Sequence, residues 1–513
     1  MDVRRKEAMT EEHLKRREAR RRAEKQRRLI LRVILLLALV GILVALIVLL
    51  PKALGGGGKS VSPATPTPAP ATSSAATSSE ESVPAGPTRD EVLTEARRLA
   101  AQYDYDKAVA TIEAFAGYDA DTGLVDEIAA IREKRDACVP VSVVGVPHVF
   151  FHSLINDSRG LVVSATCTED RVAKNNKAMC TTGEFKAIIQ KLYEAGYVLI
   201  SLDDLVVKTK NDDGTVTMEK NQNLCLPEGK KPLLMSEDDL SYYHAYGENG
   251  AQGYADRLVL DENGQVKCEF TDVNGTVKVG DYDMVPILET FIAEHPDFCY
   301  RGARPTIALT GYNGIFGYRT NDYYKEGPDG EDLGPVQQAF LRNHPEYDYD
   351  KDCAEAVKIA NALKAQGWTF ASHTYGHRDA AASTVEQLAA DHERWKIAVG
   401  QFVGETDKII FAFGADIGYV GGYTAENEKY QYFRKQGFNT FCNVDGNFGW
   451  MEYGTGFVRT GRIAIDGVTM YNAMTEGTPS HETFAKDYQL LGITDIASFF
   501  DKNRNPEYCR SES

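Results

Sequence analysis

From residue 141 onward, short apolar runs alternate with longer amphipathic stretches. Strand-like runs are VSVVGVPHVFFHSL from 141, YVLIS at 197–201, PLLMS at 232–236, PTIALT at 305–310, TFAS at 369–372, IIFAF at 409–413 and FNTFC at 438–442. Between them lie helical patterns at 181–196, with Phe185, Ile188, Ile189 and Leu192 on one face, and at 283–294, 350–366, 383–400 and 424–436. Strands alternating with helices over such a length predict an α/β fold, a parallel sheet or barrel. Two stretches carry turn signals between alternating residues and read as β-hairpin insertions, 206–224 and 256–281. Residues 316–335 read as a polar, glycine-rich loop.

The pattern before residue 141 differs. Thr88 and Glu91 fit a capping box, and Val92, Ala96, Leu99 and Ala100 form a helical stripe behind it. A second helix carries Ala108, Val109, Ile112 and Phe115, and a third carries Leu124, Ile128 and Ile131. One such unit is too little for a solenoid, so 88–138 reads as a helical spacer with a tetratricopeptide-like hairpin. Residues 51–87, rich in Ser, Thr, Pro and Ala, cannot bury a core and read as an extended linker.

Residues 33–50 contain no charge. As a helix they would cover about 27 Å, close to the thickness of a bilayer's hydrocarbon core. With Leu29 to Leu31 the span reads as 29–50, preceded by a basic tail at 1–28. Basic flanks stay on the cytoplasmic side. The expectation is therefore a single-pass protein in the cell membrane, N-terminus inside and the remainder outside.

Charge follows the same division. Residues 1–52 hold 14 basic and 6 acidic side chains, a balance of +8 in a chain of net charge −17, so the remainder carries −25. So acidic a domain lacks the basic face that nucleic acid requires, and no nucleic-acid partner is expected. There are nine cysteines. An outside location permits disulfides, but the odd count leaves at least one unpaired within the chain, and the pairing and oligomeric state stay open.

In a β/α barrel the chemistry sits where the strands end. After PLLM comes Ser236-Glu237-Asp238-Asp239, after WTFA comes Ser372-His373-Thr374-Tyr375-Gly376-His377, and after IIFAF comes Gly414-Ala415-Asp416. Two imidazoles four residues apart suit a divalent transition metal if the segment turns so that both face one way. One aspartate of the pair would complete the ligand set, and the other would stand beside the ion to take a proton. His152 ends the first run and is a further candidate for the barrel mouth. His148, His244, His295, His344 and His392 have no such context and read as structural or surface histidines.

With these strings in view, residues 141–475 resemble the polysaccharide deacetylases of carbohydrate esterase family 4, which carry the NodB-homology domain. SEDD at 236–239 resembles that family's aspartate motif, SHTYGH at 372–377 its histidine motif, and EFKAIIQKLYEAGYVLISLDDL the helix and strand ahead of the aspartates. The resemblance implies a distorted (β/α) barrel at 141–480, with 481–513 as a C-terminal tail. It implies Asp239, His373 and His377 as ligands of a divalent metal, zinc or else cobalt, manganese or nickel, and Asp238 as general base. Thr374 would orient the histidine loop and border the substrate. Asp204, in Leu202-Asp203-Asp204, matches a structural element of the family.

The chain also departs from the family pattern. Glu237 stands where Phe is usual. The strand FAFGADIG lacks the arginine that normally pairs with the catalytic aspartate, and Arg462, in RTGRIAIDG, is the candidate to supply that charge. No Leu-x-His string follows residue 470, which leaves His481 as candidate general acid. Tyr242 and Trp450 are candidates for stacking on a sugar, with core packing as the alternative for each.

The implied activity is metal-dependent removal of N-acetyl groups from a cell-surface polysaccharide such as peptidoglycan. An O-acetyl polysaccharide esterase on the same fold, and a catalytically degenerate glycan-binding protein of the cell wall, are the competing expectations.

Overall fold

Alternate residues of a strand face opposite sides, and in this chain each set of alternates has its own role. The computed structural model describes residues 86–212, 214–444 and 447–510. The expected basic tail, membrane span and nearly all of the linker lie outside the described residues. Among the described residues no helix is long and apolar enough to cross a membrane.

Seven parallel strands close a ring: β1 (His148–His152), β2 (Lys231–Asp238), β3 (Thr306–Leu309), β4 (Thr369–Ser372), β5 (Lys408–Ile410), β6 (Thr440–Val444) and β7 (Phe457–Ala464). The order round the ring is β3-β4-β5-β6-β7-β1-β2, and β2 pairs with β3 to close it. The expected barrel is present as this closed seven-stranded form. The run at 197–201 forms strand Tyr197–Leu199, which pairs with the start of β2 outside the ring. The seventh position is taken by β7, whose sequence FVRTGRIA has no continuous apolar run.

Outward residues of the strands, among them Val149, Met235, Ile307, Phe370 and Ile463, pack under the surrounding helices. Inward residues Leu234, Ala308, Ala371, Ile410, Cys442 and Val458 fill the lower lumen. They share one core with Leu99, Ile112, Ile128 and other residues of helices Arg89–Ala101, Tyr105–Glu113 and Thr122–Asp136. These three helices therefore do not stand apart as a spacer. Tyr103 stacks on Tyr300 and donates its hydroxyl to the Asp297 carbonyl.

The two insertions form a hairpin, Val206–Lys210 with Val216–Lys220, and a three-stranded meander, Arg257–Leu260, Val266–Thr271 and Val277–Gly280. The chain after β7 packs back on the shell. Arg504 and Glu184, both fully buried, pair there and tie the C-terminal stretch to helix Thr182–Glu194. All nine cysteines are free thiols.

Candidate metal centre

The lumen face of β1 carries His148, Phe150 and His152, and these set three levels. At the lowest, the two ring nitrogens of His148 reach Thr460 and Ser236. Above it, the Arg462 guanidinium lies over the Phe150 ring, 4.1 Å from its centroid. That guanidinium makes two parallel hydrogen bonds to Asp238, of 2.8 and 2.9 Å. His152 forms the top level, directly opposite Asp238 in the β1–β2 register.

Asp238 is buried, which raises a carboxyl pKa. Arg462 and His373 outweigh that, and the group is held down at about 2. The positive charge paired with Asp238 thus comes from β7, through Arg462.

Asp239 does not continue the strand. Its φ of +63° breaks the alternation, so it and Asp238 both reach the mouth. Thr374 (φ +60°), His377 (φ +49°) and Phe413 (φ +60°) share that left-handed conformation. For residues with a Cβ this costs on the order of 1–3 kcal/mol each, and such strain gathers at functional sites.

Ligand atoms of Asp239, His373 and His377 lie within 4.8 Å of one another. The Nε2 of His377 is 3.7 Å from the Asp239 Oδ2, and the Nε2 of His373 is 3.9 Å from its Oδ1. His373 donates Nδ1–H to the Ile410 carbonyl at 2.8 Å. That bond sets the tautomer and leaves the Nε2 lone pair facing the carboxylates, as a metal-bound histidine requires. Burial pushes the His377 pKa down, with Asp239 opposing it. Two imidazoles and one carboxylate at this spacing fit a divalent ion with open positions.

The histidine loop is pinned from helix Val385–Trp395. The carboxylate of Asp391 accepts Tyr375 N–H at 2.6 Å and Gly376 N–H at 3.0 Å. Thr374 Oγ1 accepts Arg378 N–H at 2.7 Å, so Thr374 orients the loop. Phe413 is 70% exposed and its ring lies 4.3 Å from that of His377. It forms an apolar edge to the mouth.

Two of the candidate residues are engaged away from the ligand set. Tyr242 is buried and donates its hydroxyl to Asp283 Oδ2 at 2.7 Å, so it packs the shell and offers no face to a sugar. Asp283 needs that partner because it also caps helix Met284–Glu294 from a buried position. His481 opens helix His481–Leu491, and its Nδ1 donates to the Asn472 carbonyl at 2.9 Å. His152 stands opposite Asp238 in the β1–β2 register, and its charge acts on Asp238 and His377 behind that of His373. His152 also acts electrostatically on Asp466, the half-buried cap of helix Gly467–Met474. Glu237 points outward: its carboxyl is fully buried with no hydrogen-bond partner, and burial and the neighbouring Asp283 and Asp238 raise its pKa.

Trp450 is half-buried, and the Arg459 guanidinium lies 5.0 Å from its ring. It lines a groove of about 580 Å³ with Asp416, Tyr419, Asn443 and Arg459. Gly414, next to Phe413, borders the same groove. Asp204 caps its own turn, accepting from Ser201 N–H, as expected of a structural residue.

No protein-family model matches the sequence, and no curated protein does. Among solved structures the chain is similar to a Streptococcus pyogenes deacetylase, PplD, in complex with acetate. The identity is 12% and the TM-score 0.31, over 64% of this chain and 94% of that one.

Proposed function

We propose that this chain is a metal-dependent hydrolase that removes acetyl groups, N-linked ones first, from a polysaccharide outside the cell membrane. The observation that carries the reading is the juxtaposition at one barrel mouth. Asp239, His373 and His377 form a ligand set beside Asp238, which is ionised and locked by Arg462.

A divalent ion held there would polarise an acetyl carbonyl and acidify water. Asp238 is the base. The Arg462 fork keeps its charge in place, and its remaining lone pairs accept the water's proton. An amine is a poor leaving group and needs a proton. His152, across the strand pair from Asp238, donates it to the amide nitrogen. Acetate and a free amino sugar result. Phe413 and the Trp450 groove supply apolar faces on which pyranose rings stack.

The charge-free run at 33–50 supports a membrane tether with the barrel on the outer side. Protease accessibility of the barrel in intact cells tests that placement; protection there would sink it.

The activity is tested by acetate release from the full-length protein with zinc or cobalt added. Substrates are N-acetylglucosamine oligomers, peptidoglycan and O-acetylated xylan. The expected result is release from the N-acetylated polymers that His373→Ala abolishes. Release from xylan alone would move the reading to an O-acetyl esterase. Glycan binding without release from any substrate would make the protein a degenerate binder.

A further inference from the structure

We propose that Tyr243 is a positioning residue of the metal centre, holding Asp239 as a one-oxygen ligand through a directed chain of hydroxyls. The inference rests on the metal reading above and adds a role for residues outside the ligand set.

Tyr243 is 6% exposed. Its ring is stacked on Tyr312, with centroids 5.1 Å apart, and takes the edge of Tyr246 at 5.5 Å. Its hydroxyl donates to Asp239 Oδ1 at 2.5 Å. The same hydroxyl lies 2.5 Å from Thr310 Oγ1. A phenol has one proton, and the carboxylate takes it, so Thr310 must donate to the phenol oxygen. Ser241 Oγ stands 3.5 Å behind Thr310. The hydroxyls therefore point one way, Ser241 to Thr310 to Tyr243 to Asp239, and each polarises the next.

With Oδ1 held by the phenol, Oδ2 is turned to His377 at 3.7 Å, and Oδ1 comes no nearer to an imidazole than 3.9 Å, at His373. Without the phenol the carboxylate could rotate or bind through both oxygens. The ring packing would survive loss of the oxygen, which makes the hydroxyl testable by itself.

The experiment measures zinc affinity of the full-length protein by competition with a chromophoric chelator, and records the cobalt absorption spectrum. Outer partners of metal ligands typically contribute 10- to 100-fold in affinity. Tyr243→Phe is expected to raise the zinc dissociation constant by about that factor and to alter the cobalt spectrum, with the melting temperature of the metal-free protein unchanged. Thr310→Val, which leaves the phenol in place, is expected to raise it less. If Tyr243→Phe binds zinc as wild type does, the role of Tyr243 is overturned and the metal centre stands. If wild type binds no divalent metal, the centre and this role fall together. If metal-free Tyr243→Phe melts early, Thr310→Val decides: weaker zinc binding supports the chain of hydroxyls, and unchanged binding overturns it.

Discussion

Asp238 and Asp239 are chain neighbours with different surroundings, and one backbone angle separates them. Asp238 ends a strand and looks into the lumen, where Arg462 takes both its oxygens. Asp239 turns at φ +63° and meets the two histidines. Substitution should separate the roles. Asp238→Asn is expected to keep the metal and lose turnover by about 10²- to 10⁴-fold, the usual share of a general base. His373→Ala should lose both. The acid is settled the same way: His152→Ala should slow N-acetyl hydrolysis by a comparable factor, and His481→Ala should leave it near wild type, because that imidazole is spent on a backbone carbonyl. Metal content and kcat on one oligomeric substrate read out all four variants. Equal effects at His152 and His481 would sink the assignment.

At the scale of elements, most barrel strands announce themselves as apolar runs because both faces are buried. β7 does not. Its outward Arg459 is neutralised by Asp416 and Glu452, and its inward Arg462 by Asp238. A strand whose buried charges are all paired carries no hydrophobic signature, and pairing is a property of the folded chain. Helix His481–Leu491 offers a pH test of the shell. Asp487 is buried and its pKa is pushed up to about 6. The folded state then holds this proton more tightly than the unfolded chain. Its contribution is therefore present below the ordinary carboxylate range and is lost as pH rises from about 4 to about 6. Asp487→Asn should flatten the fall in melting temperature across that window; an unchanged slope would count against a buried acid there.

For the whole molecule, the barrel is closed from below by the N-terminal helices and strapped at its side by the C-terminal stretch. The strap's anchor is the Arg504–Glu184 pair, in which Arg504 also donates to the carbonyls of Asn176 and Met179. Breaking a buried pair from one side leaves an uncompensated charge. Arg504→Met should therefore cost about 3–5 kcal/mol in urea unfolding, and the double change with Glu184→Met much less. A single variant as stable as wild type would show the strap to be dispensable.

Much was decided by sequence alone. The alternation of apolar runs and amphipathic stretches specified an α/β fold with a parallel sheet or barrel, because burial on two faces leaves a local pattern that needs no partner to be read. Asp238, Asp239, His373 and His377 stood at run ends, where such folds keep their chemistry. Only tertiary structure could bring Arg462 to Asp238 from 224 residues away, or set His152 opposite the same aspartate. It alone could withdraw Tyr242 into the shell and give Tyr243 to Asp239. Each of these depends on register and on which face of a strand a side chain occupies, and those are settled when the ring of strands closes.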